Sequence, residues 1–256
     1  MKHFFFECWQ CILLLLRKFF TVLAGGGECA VCGAPCGTIP VCRACRNTYF
    51  TPSLFAVERC PVCGKELISE HGLCMQCRTE RLLAHTDFVF PLYSYRLWNS
   101  VLLFRWKIDG ERTLSPFFAE RLASALAVLP PELVIVPVPP RPGKIRKKGW
   151  DQIEEVCMFL ELHWKYCVCR ILERKTTKEQ KTLDRTERLK TIGRAYSLKT
   201  GSRLKDGLRH ADGLLPECVC LIDDVMTTGA TIESCAAVLK TAGVKKVYAV
   251  TLFIVD

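Results

Sequence analysis

Residues 219–231 constrain the fold more than any other part of this 256-residue chain. They begin with a continuous apolar run, residues 219–222, which is typical of a strand that is covered on both faces of a parallel sheet. Asp223 and Asp224 follow directly, and an open α/β sheet binds its ligands at the carboxyl ends of its strands. The pattern therefore predicts an α/β fold, with these two acids as catalytic carboxylates.

Small and hydroxyl-bearing residues come next and lead into a helical pattern. Backbone amides, the positive end of the helix dipole and threonine hydroxyls can together hold a phosphate, and Gly229 permits close approach of the backbone. The predicted phosphate-binding residues are Val225, Met226, Thr227, Thr228, Gly229, Ala230 and Thr231. The neighbouring carboxylates would then accept from the hydroxyls of a ribose 5-phosphate. In a purely structural alternative, the acids only end a strand and Thr231 only caps a helix.

Eight of the seventeen cysteines form four C-x-x-C pairs within residues 29–77. Two such pairs about ten residues apart can close a tetrahedral Cys₄ site, so the spacing predicts two structural zinc ions. The predicted ligands are Cys29, Cys32, Cys42, Cys45, Cys60, Cys63, Cys74 and Cys77. The spacing favours two successive zinc ribbons, with interleaved pairing and a redox-active dithiol as alternatives. Cys36 and His71 lie close to these ligands in the sequence and are expected to be spectators.

Composition narrows the class of protein. Half of the residues are hydrophobic, which suits one full domain plus a smaller module. A net charge of +10 favours polyanionic ligands, either small polyphosphates or nucleic acid, although a basic surface can also serve solubility alone. The C-x-x-C pairing favours metal-bound thiolates in a reducing cytoplasm over a disulfide scaffold.

The amino-terminal residues 1–28 are rich in apolar side chains but are interrupted by charges. No stretch reaches the roughly 18 uncharged apolar residues of a transmembrane helix. We expect an amphipathic helix that packs on the protein's own core, on a partner, or on a membrane through residues 4–23. A signal peptide is the alternative. Gly25–Gly27 would end the helix as a short hinge.

Mixed α/β patterns fill the rest of the chain. Strands are predicted over residues 88–95, 133–138, 196–198, 218–222 and 246–255, and helices over 98–106 and 115–129, from 152 and from 232. A basic loop follows the strand at 133–138, and it would hold a pyrophosphate if that strand shares a sheet with residues 219–222; a solvated turn is the alternative. Its predicted ligand-binding residues are Pro140, Arg141, Lys144, Arg146 and Lys148.

Residues 173–194 have few apolar side chains and many charges, which is typical of a mobile lid or an extended basic arm. Its candidate contact residues are Lys178, Gln180, Arg185 and Arg188. The remaining cysteines in apolar contexts are predicted to be small buried side chains. They are Cys157, Cys167, Cys169, Cys218, Cys220 and Cys235.

From Cys29 to the carboxyl end, the order of these features resembles the ComF family of competence-associated proteins. The resemblance rests on the cysteine pairs and on the strings P-V-P-P-R-P-G-K-I-R-K-K-G-W-D-Q, T-T-K-E-Q-K-T-L-D-R-T-E-R and L-I-D-D-V-M-T-T-G-A-T. The last of these is similar to the phosphoribosyl-pyrophosphate (PRPP) signature of type I phosphoribosyltransferases. Two positions depart from the family pattern: G-F-N-Q reads Gly149-Trp150-Asp151-Gln152 here, and Thr191 replaces an asparagine.

The resemblance implies a type I phosphoribosyltransferase fold over residues 81–256, preceded by a double zinc ribbon over 29–80 and the apolar segment 1–28. Mg²⁺–PRPP would bind at the acid pair and the following loop, and Arg141 and Lys144 would stabilise the departing pyrophosphate through an oxocarbenium-like transition state. Two functions follow. The chain is either an enzyme that transfers phosphoribosyl groups, or a single-stranded-DNA-handling module of DNA uptake whose partner is a competence helicase or other uptake protein.

Overall fold

A computed structural model describes residues 16, 19, 26–50, 57–80, 83–141, 149–174, 195–199 and 216–255. The predictions for residues 4–23 (apart from 16 and 19), for Lys144, Arg146 and Lys148, and for Lys178, Gln180, Arg185 and Arg188 lie outside these ranges. Within the part of the chain that the structure describes, no helix combines the length and the apolar character needed to cross a membrane.

The amino-terminal module contains little regular structure. Its elements are the paired strands β1 (Gly27–Glu28) and β2 (Pro35–Cys36), helix α1 (Arg43–Tyr49) and helix α2 (Met75–Thr79). Its remaining described residues form turns around the cysteine pairs, and its core is small. Metal binding commonly supplies folding energy to modules with so few apolar contacts.

The larger unit is a parallel sheet with helices on both faces. Its elements in chain order are β3 (Phe88–Ser94), α3 (Leu97–Lys107), a 3₁₀ turn (Arg112–Leu114), α4 (Ser115–Leu126), β4 (Val134–Pro137), α5 (Gln152–Trp164), β5 (Leu172–Arg174), β6 (Tyr196–Leu198), β7 (Cys218–Met226), α6 (Ala230–Thr241) and β8 (Lys246–Ile254). The strand order of the sheet is β3-β8-β7-β4, all parallel, and β5 and β6 form a separate antiparallel pair. The predicted α/β class is confirmed.

Two cores cover the sheet, because successive side chains of a strand point to opposite faces. On β7, Cys220 and Ile222 pack with helices α3, α4 and α5, whereas Val219 and Leu221 pack with α6 and the β5–β6 pair. The same alternation leaves Asp223 and Asp224 on opposite faces at the carboxyl end of the strand.

Several element boundaries differ from the predictions. Strand β7 continues four residues past Ile222, because β8 runs beside it as far as the pair Met226–Ile254. Helix α4 ends at Leu126, and its last turn continues to Leu129 through a tighter bond from the Leu129 N–H to the Leu126 carbonyl. The prediction of a buried Cys167 is wrong, because this residue is exposed. It lies beside the outer edge of β4, where its carbonyl accepts from the Ile135 N–H.

Candidate functional site

The acid pair lies beyond the end of its neighbouring strand. The Val138 N–H donates to the Ile222 carbonyl at 3.0 Å, after which β4 turns away and β7 continues through Asp223 and Asp224. Both acids therefore lie at the carboxyl edge of the sheet, where the sequence predicted a ligand site. Asp224 is 7% exposed, so its charge is held in a partly desolvated position.

Lys107 neutralises Asp224. Its Nζ lies 2.5 Å from the Asp224 Oδ2, and about a third of the lysine side chain is exposed. Lys107 is the last residue of α3, and its carbonyl accepts from the Gln152 Nε2 at 3.2 Å. Sequence reasoning missed this residue, because its partner lies far away in the chain. The available signal was a cation in the last turn of an apolar helix, which fits many roles.

Asp223 has a different environment. Burial and the neighbouring charge of Asp224 raise the pKa of Asp223 to about 8, although the Asp224 N–H donates to its Oδ1 at 2.8 Å and Lys107 lowers the pKa. A carboxyl group with this pKa is mostly protonated at neutral pH. Together with the Lys107–Asp224 pair, this leaves the acid pair with little net charge.

The first two residues of the predicted phosphate loop belong to a strand. Val225 and Met226 belong to β7, and Met226 is buried, so any contact they make with a phosphate would involve their backbone. Thr227 and Thr228 are exposed, Gly229 precedes α6, and the helix begins at Ala230. The Gly229 φ of +82° is a left-handed conformation that favours glycine, and the Thr228 Oγ1 accepts from the Ala230 N–H at 3.4 Å. The loop thus presents small polar residues at a helix amino terminus.

The β5–β6 pair lies beside this loop. Burial, with a contribution from nearby Cys235, raises the pKa of the Tyr196 phenol, while a hydrogen bond with the Thr231 side chain lowers it. The Arg174 guanidinium lies 5.4 Å from the centre of the Tyr196 ring. Glu173 and Arg174, predicted as the start of the arm 173–194, belong instead to strand β5. The described residues on either side of the remaining arm, Arg174 and Tyr196, lie beside each other, and Tyr196 contacts Thr231.

The second predicted loop also starts at the carboxyl edge of the sheet. Pro140 is half-buried and Arg141 is exposed just after β4. On the far side of this loop, Asp151 is the N-cap of α5, and its Oδ1 accepts from the Ile153 and Glu154 N–H groups, both at 3.1 Å. Asparagine and aspartate cap helices about equally well. The departure at this position therefore preserves the helix start, and it adds an acid whose charge raises the pKa of Asp223.

Two groups of four thiols are the candidate metal centres. The first metal group is Cys29, Cys32, Cys42 and Cys45, and the second metal group is Cys60, Cys63, Cys74 and Cys77. In each group the sulfur atoms lie within 4.8 Å of one another. The structure therefore brings together successive pairs, as the spacing favoured. Cys36 and the exposed His71, which pairs with Glu58, belong to neither group.

The chemistry of the donors fits a metal ion such as zinc. Burial raises the pKa of Cys29, but N–H donors of Cys42, Cys32 and Val31 outweigh it and lower that pKa to about 6. Cys60 has the matching arrangement, and N–H donors of Cys74, Cys63 and Val62 lower its pKa to about 7. Burial raises the pKa of Cys45, Cys63 and Cys77. Zinc binds thiolates, and four thiols in a compact group suit its tetrahedral preference once the metal displaces their protons. Each group could hold one ion.

A parallel sheet with helices on both faces, a carboxylate pair at its carboxyl edge and two four-thiol groups define an α/β protein with an amino-terminal metal-binding module. No family model matches the sequence. The chain is similar to the competence protein ComFC of Streptococcus pneumoniae, with 26% identity over 209 residues that cover 81% of this chain and 84% of the relative. It is also similar to the competence protein ComFC of Bacillus subtilis, with 25% identity over 209 residues and 79% coverage of both chains. Both relatives are competence proteins, and the two similarities support an assignment of this chain to the ComF family.

Proposed function

We propose that this protein binds the phosphoribosyl group of Mg²⁺–PRPP at the carboxyl edge of its sheet and acts as a phosphoribosyltransferase in DNA uptake or nucleotide metabolism. The observation that carries the proposal is the unit formed by Asp223 and Asp224, the exposed Thr227 and Thr228, and the left-handed Gly229 at the start of α6. It combines acceptors for sugar hydroxyls with donors for a phosphate within one short segment.

Each part of the unit has a chemical task in this proposal. Asp223 and Asp224 accept hydrogen bonds from the ribose hydroxyls, and the amides and hydroxyls of residues 227–231 hold the 5-phosphate. Arg141, at the end of β4, faces the charge that develops on the departing pyrophosphate. Bound Mg²⁺ would further neutralise that charge.

Electrostatics support an anionic ligand. Residues 142–148 contain four basic and no acidic side chains, and residues 175–194 contain seven basic and three acidic ones. These two segments carry a net charge of +4 each, out of +10 for the whole chain. The first segment follows Arg141, just after β4, and the second follows Arg174, which lies 5.4 Å from the centre of the Tyr196 ring. The charge of Asp224 is offset by Lys107, and the pKa of Asp223 is raised to about 8 by burial and by Asp224. Such a distribution concentrates polyanions at one site.

A second candidate function is a single-stranded-DNA-handling adaptor for competence. It is favoured by the similarity to two competence proteins and by the same two basic segments. In this alternative the site holds one sugar phosphate of the strand, and the metal module contacts a helicase or another uptake protein. Reduced thiols in the metal groups suit the cytoplasm for either function.

The test is calorimetric titration with Mg²⁺–PRPP of the wild type, the double variant Asp223→Ala/Asp224→Ala and the control Glu217→Ala. Glu217 is an exposed acid that pairs with Lys245 at the start of β7, away from the carboxyl edge. We expect binding in the wild type and the control and none in the double variant. Release of pyrophosphate upon addition of candidate acceptors would then establish transfer.

Absence of PRPP binding in the wild type would contradict the first proposal. Salt-sensitive binding of single-stranded DNA under the same conditions would favour the adaptor. Basic side chains that bind DNA phosphates release counterions, so the affinity falls steeply as the salt concentration rises.

A further inference from the structure

Residues 83–87, called the brace here, connect the second metal group to the sheet and lie against the proposed phosphate loop. The metal ligand Cys77 lies six residues before Leu83, and β3 begins at Phe88, directly after the brace. The function proposed above gives no role to this segment. Its contacts nevertheless follow α6 from the residue before its start to its last turn.

The first contact is with Gly229. A Cβ atom at Gly229 would lie 3.0 Å from the Leu83 Cδ2, and the three heavy atoms nearest to that position all belong to Leu83. Leu83 itself is 6% exposed, so it is held by the core on the α6 face of the sheet. The left-handed turn at Gly229 therefore rests on a side chain of the brace.

The second contact is with the first turn of α6. The Glu233 carboxylate accepts from the His85 N–H at 2.8 and 3.1 Å and from the Thr86 Oγ1 at 3.2 Å, and its Oε1 lies 2.6 Å from the His85 Nδ1. Glu233 is only 15% exposed, which strengthens these hydrogen bonds relative to bulk water.

The third contact closes the brace at its other end. The Asp87 Oδ2 accepts from the Val247 N–H at 2.7 Å and lies 2.6 Å from the Lys240 Nζ in the last turn of α6. The Asp87 N–H donates to the Val247 carbonyl at 2.9 Å. The first and the last turn of α6 therefore both contact the same five-residue segment.

We propose that Leu83 and Glu233 are positioning residues that hold the proposed phosphate loop in its binding geometry before the ligand binds. Leu83 acts through its contact with Gly229, and Glu233 acts through its hydrogen bonds with His85 and Thr86. This inference rests on the proposed phosphate site. A loop that is already ordered binds more tightly, because less conformational entropy is lost when the ligand binds. The brace contacts the proposed phosphate loop and α6, whereas the predicted pyrophosphate loop follows β4. A change in the brace should therefore weaken binding only at the 5-phosphate end of the ligand.

The test compares ribose 5-phosphate with pyrophosphate as probes, using the full chain and the variants Leu83→Ala, Leu83→Ile and Glu233→Ala. We expect Leu83→Ala and Glu233→Ala to weaken ribose 5-phosphate binding about tenfold, because part of the binding free energy is then used to order the loop, and to leave pyrophosphate binding unchanged. Leu83→Ile preserves volume and should restore most of the affinity. The control Glu217→Ala should resemble the wild type.

Equal weakening of both probes would overturn the inference, since a general loss of structure affects the whole site. Hydrogen exchange of the amides in residues 227–233 provides a readout without ligand. Faster exchange is expected in Leu83→Ala and Glu233→Ala, and exchange at the wild-type rate in both would also overturn the inference. If the wild type binds neither probe, the proposed function fails, while the exchange rates still decide whether the brace orders the loop.

Discussion

The two metal groups have the same ligands but are attached to the sheet in different ways. The segment that carries the first metal group packs on the α4 face through side chains that follow its ligands. Phe50 contacts Tyr93 and Phe117 edge to face, and Arg46 pairs with Glu120 at 3.0 Å. The second metal group packs on the edge strand β3 through its backbone: a Cβ atom at Gly64 would lie 2.2 Å from the Val89 carbonyl oxygen. Side chains can adjust to a change, whereas two backbones in contact cannot.

The difference also explains how the sheet avoids an open edge. Strand β3 is the outermost strand on its side of the described sheet, and unpaired edges invite association with other chains. Arg59 donates to the carbonyls of Gly64 and Pro91, at 2.9 and 3.0 Å, and thereby joins the second metal group to β3. The second metal group therefore completes the larger unit, whereas the first adds to its helical face.

The largest expected difference between the two metal groups is the loss of stability when one thiol ligand of each is replaced. Cys29→Ser and Cys60→Ser should each lower the zinc content from about two ions to about one. Because the second group covers the sheet edge, Cys60→Ser should also destabilise the larger unit by at least about 4 kcal/mol, or roughly 10 °C in Tm. Metal analysis and thermal unfolding measure both effects. Full zinc retention in Cys60→Ser would rule out the second metal centre, and equal loss of stability in both variants would contradict the comparison.

The next prediction uses the matching glycines of the two groups. Gly33 and Gly64 have nearly equal φ angles, +73° and +72°, but a Cβ at Gly33 would meet no atom within 4 Å. Gly33→Ala should cost about 1 kcal/mol, the strain of a left-handed alanine. Gly64→Ala should cost at least about 3 kcal/mol, because the overlap with Val89 adds to that strain. Urea unfolding of both variants gives the two values, and similar values would show that the contact of the second group with β3 yields easily.

A third, smaller difference is expected in the free energy of unfolding when an arginine beside each metal group is replaced. Arg59 lies 4.5 Å from the centre of the Phe90 ring, and its removal leaves two partly buried carbonyls without their donor. Arg59→Met should therefore cost about 3 kcal/mol. Arg46 pairs with Glu120 at a more exposed position, with 25% and 36% of the two side chains accessible, so Arg46→Met should cost about 1 kcal/mol. Unfolding in high salt is a further check, because the arginine is more exposed in the Arg46–Glu120 ion pair than in the Arg59–Glu66 pair, so salt should reduce the contribution of Arg46 more.

The sequence predicted what depends on local order. The apolar run, the acids and the small residues of 219–231 lie together in the chain, and so do the cysteines of each pair, so these features could be inferred from residue pattern alone. Strand β5 was not predicted, because Glu173 and Arg174 resemble the charged arm that follows them. The extension of β7 to Met226 could not, because it depends on the length of its neighbour β8. Lys107 was missed for the same reason, since only the packing of α3 brings it to Asp224.

The brace shows the limit of local reasoning most clearly. Glu233 is an ordinary acid in the first turn of a helix by sequence, a position that the helix dipole favours without any partner. Its contacts with His85 and Thr86 join residues about 150 positions apart, and no pattern in either segment indicates them. Sequence therefore predicted the acid pair at a strand end and the two groups of thiols, but not the contacts between the brace and α6.

The smallest predicted effect tests whether that link distinguishes the two metal groups. The chain continues from the second metal group into the brace, which contacts Gly229 and Glu233, so a change where this group packs on β3 should affect the proposed phosphate loop. Arg59→Met should speed hydrogen exchange in residues 227–233 about twofold to threefold, which corresponds to a coupling of about 0.5 kcal/mol. Arg46→Met, at the first group, should leave these rates unchanged under conditions where both variants are folded. Equal rates in the two variants would mean that the brace holds the loop independently of the metal module, and faster exchange in Arg46→Met alone would reverse the comparison.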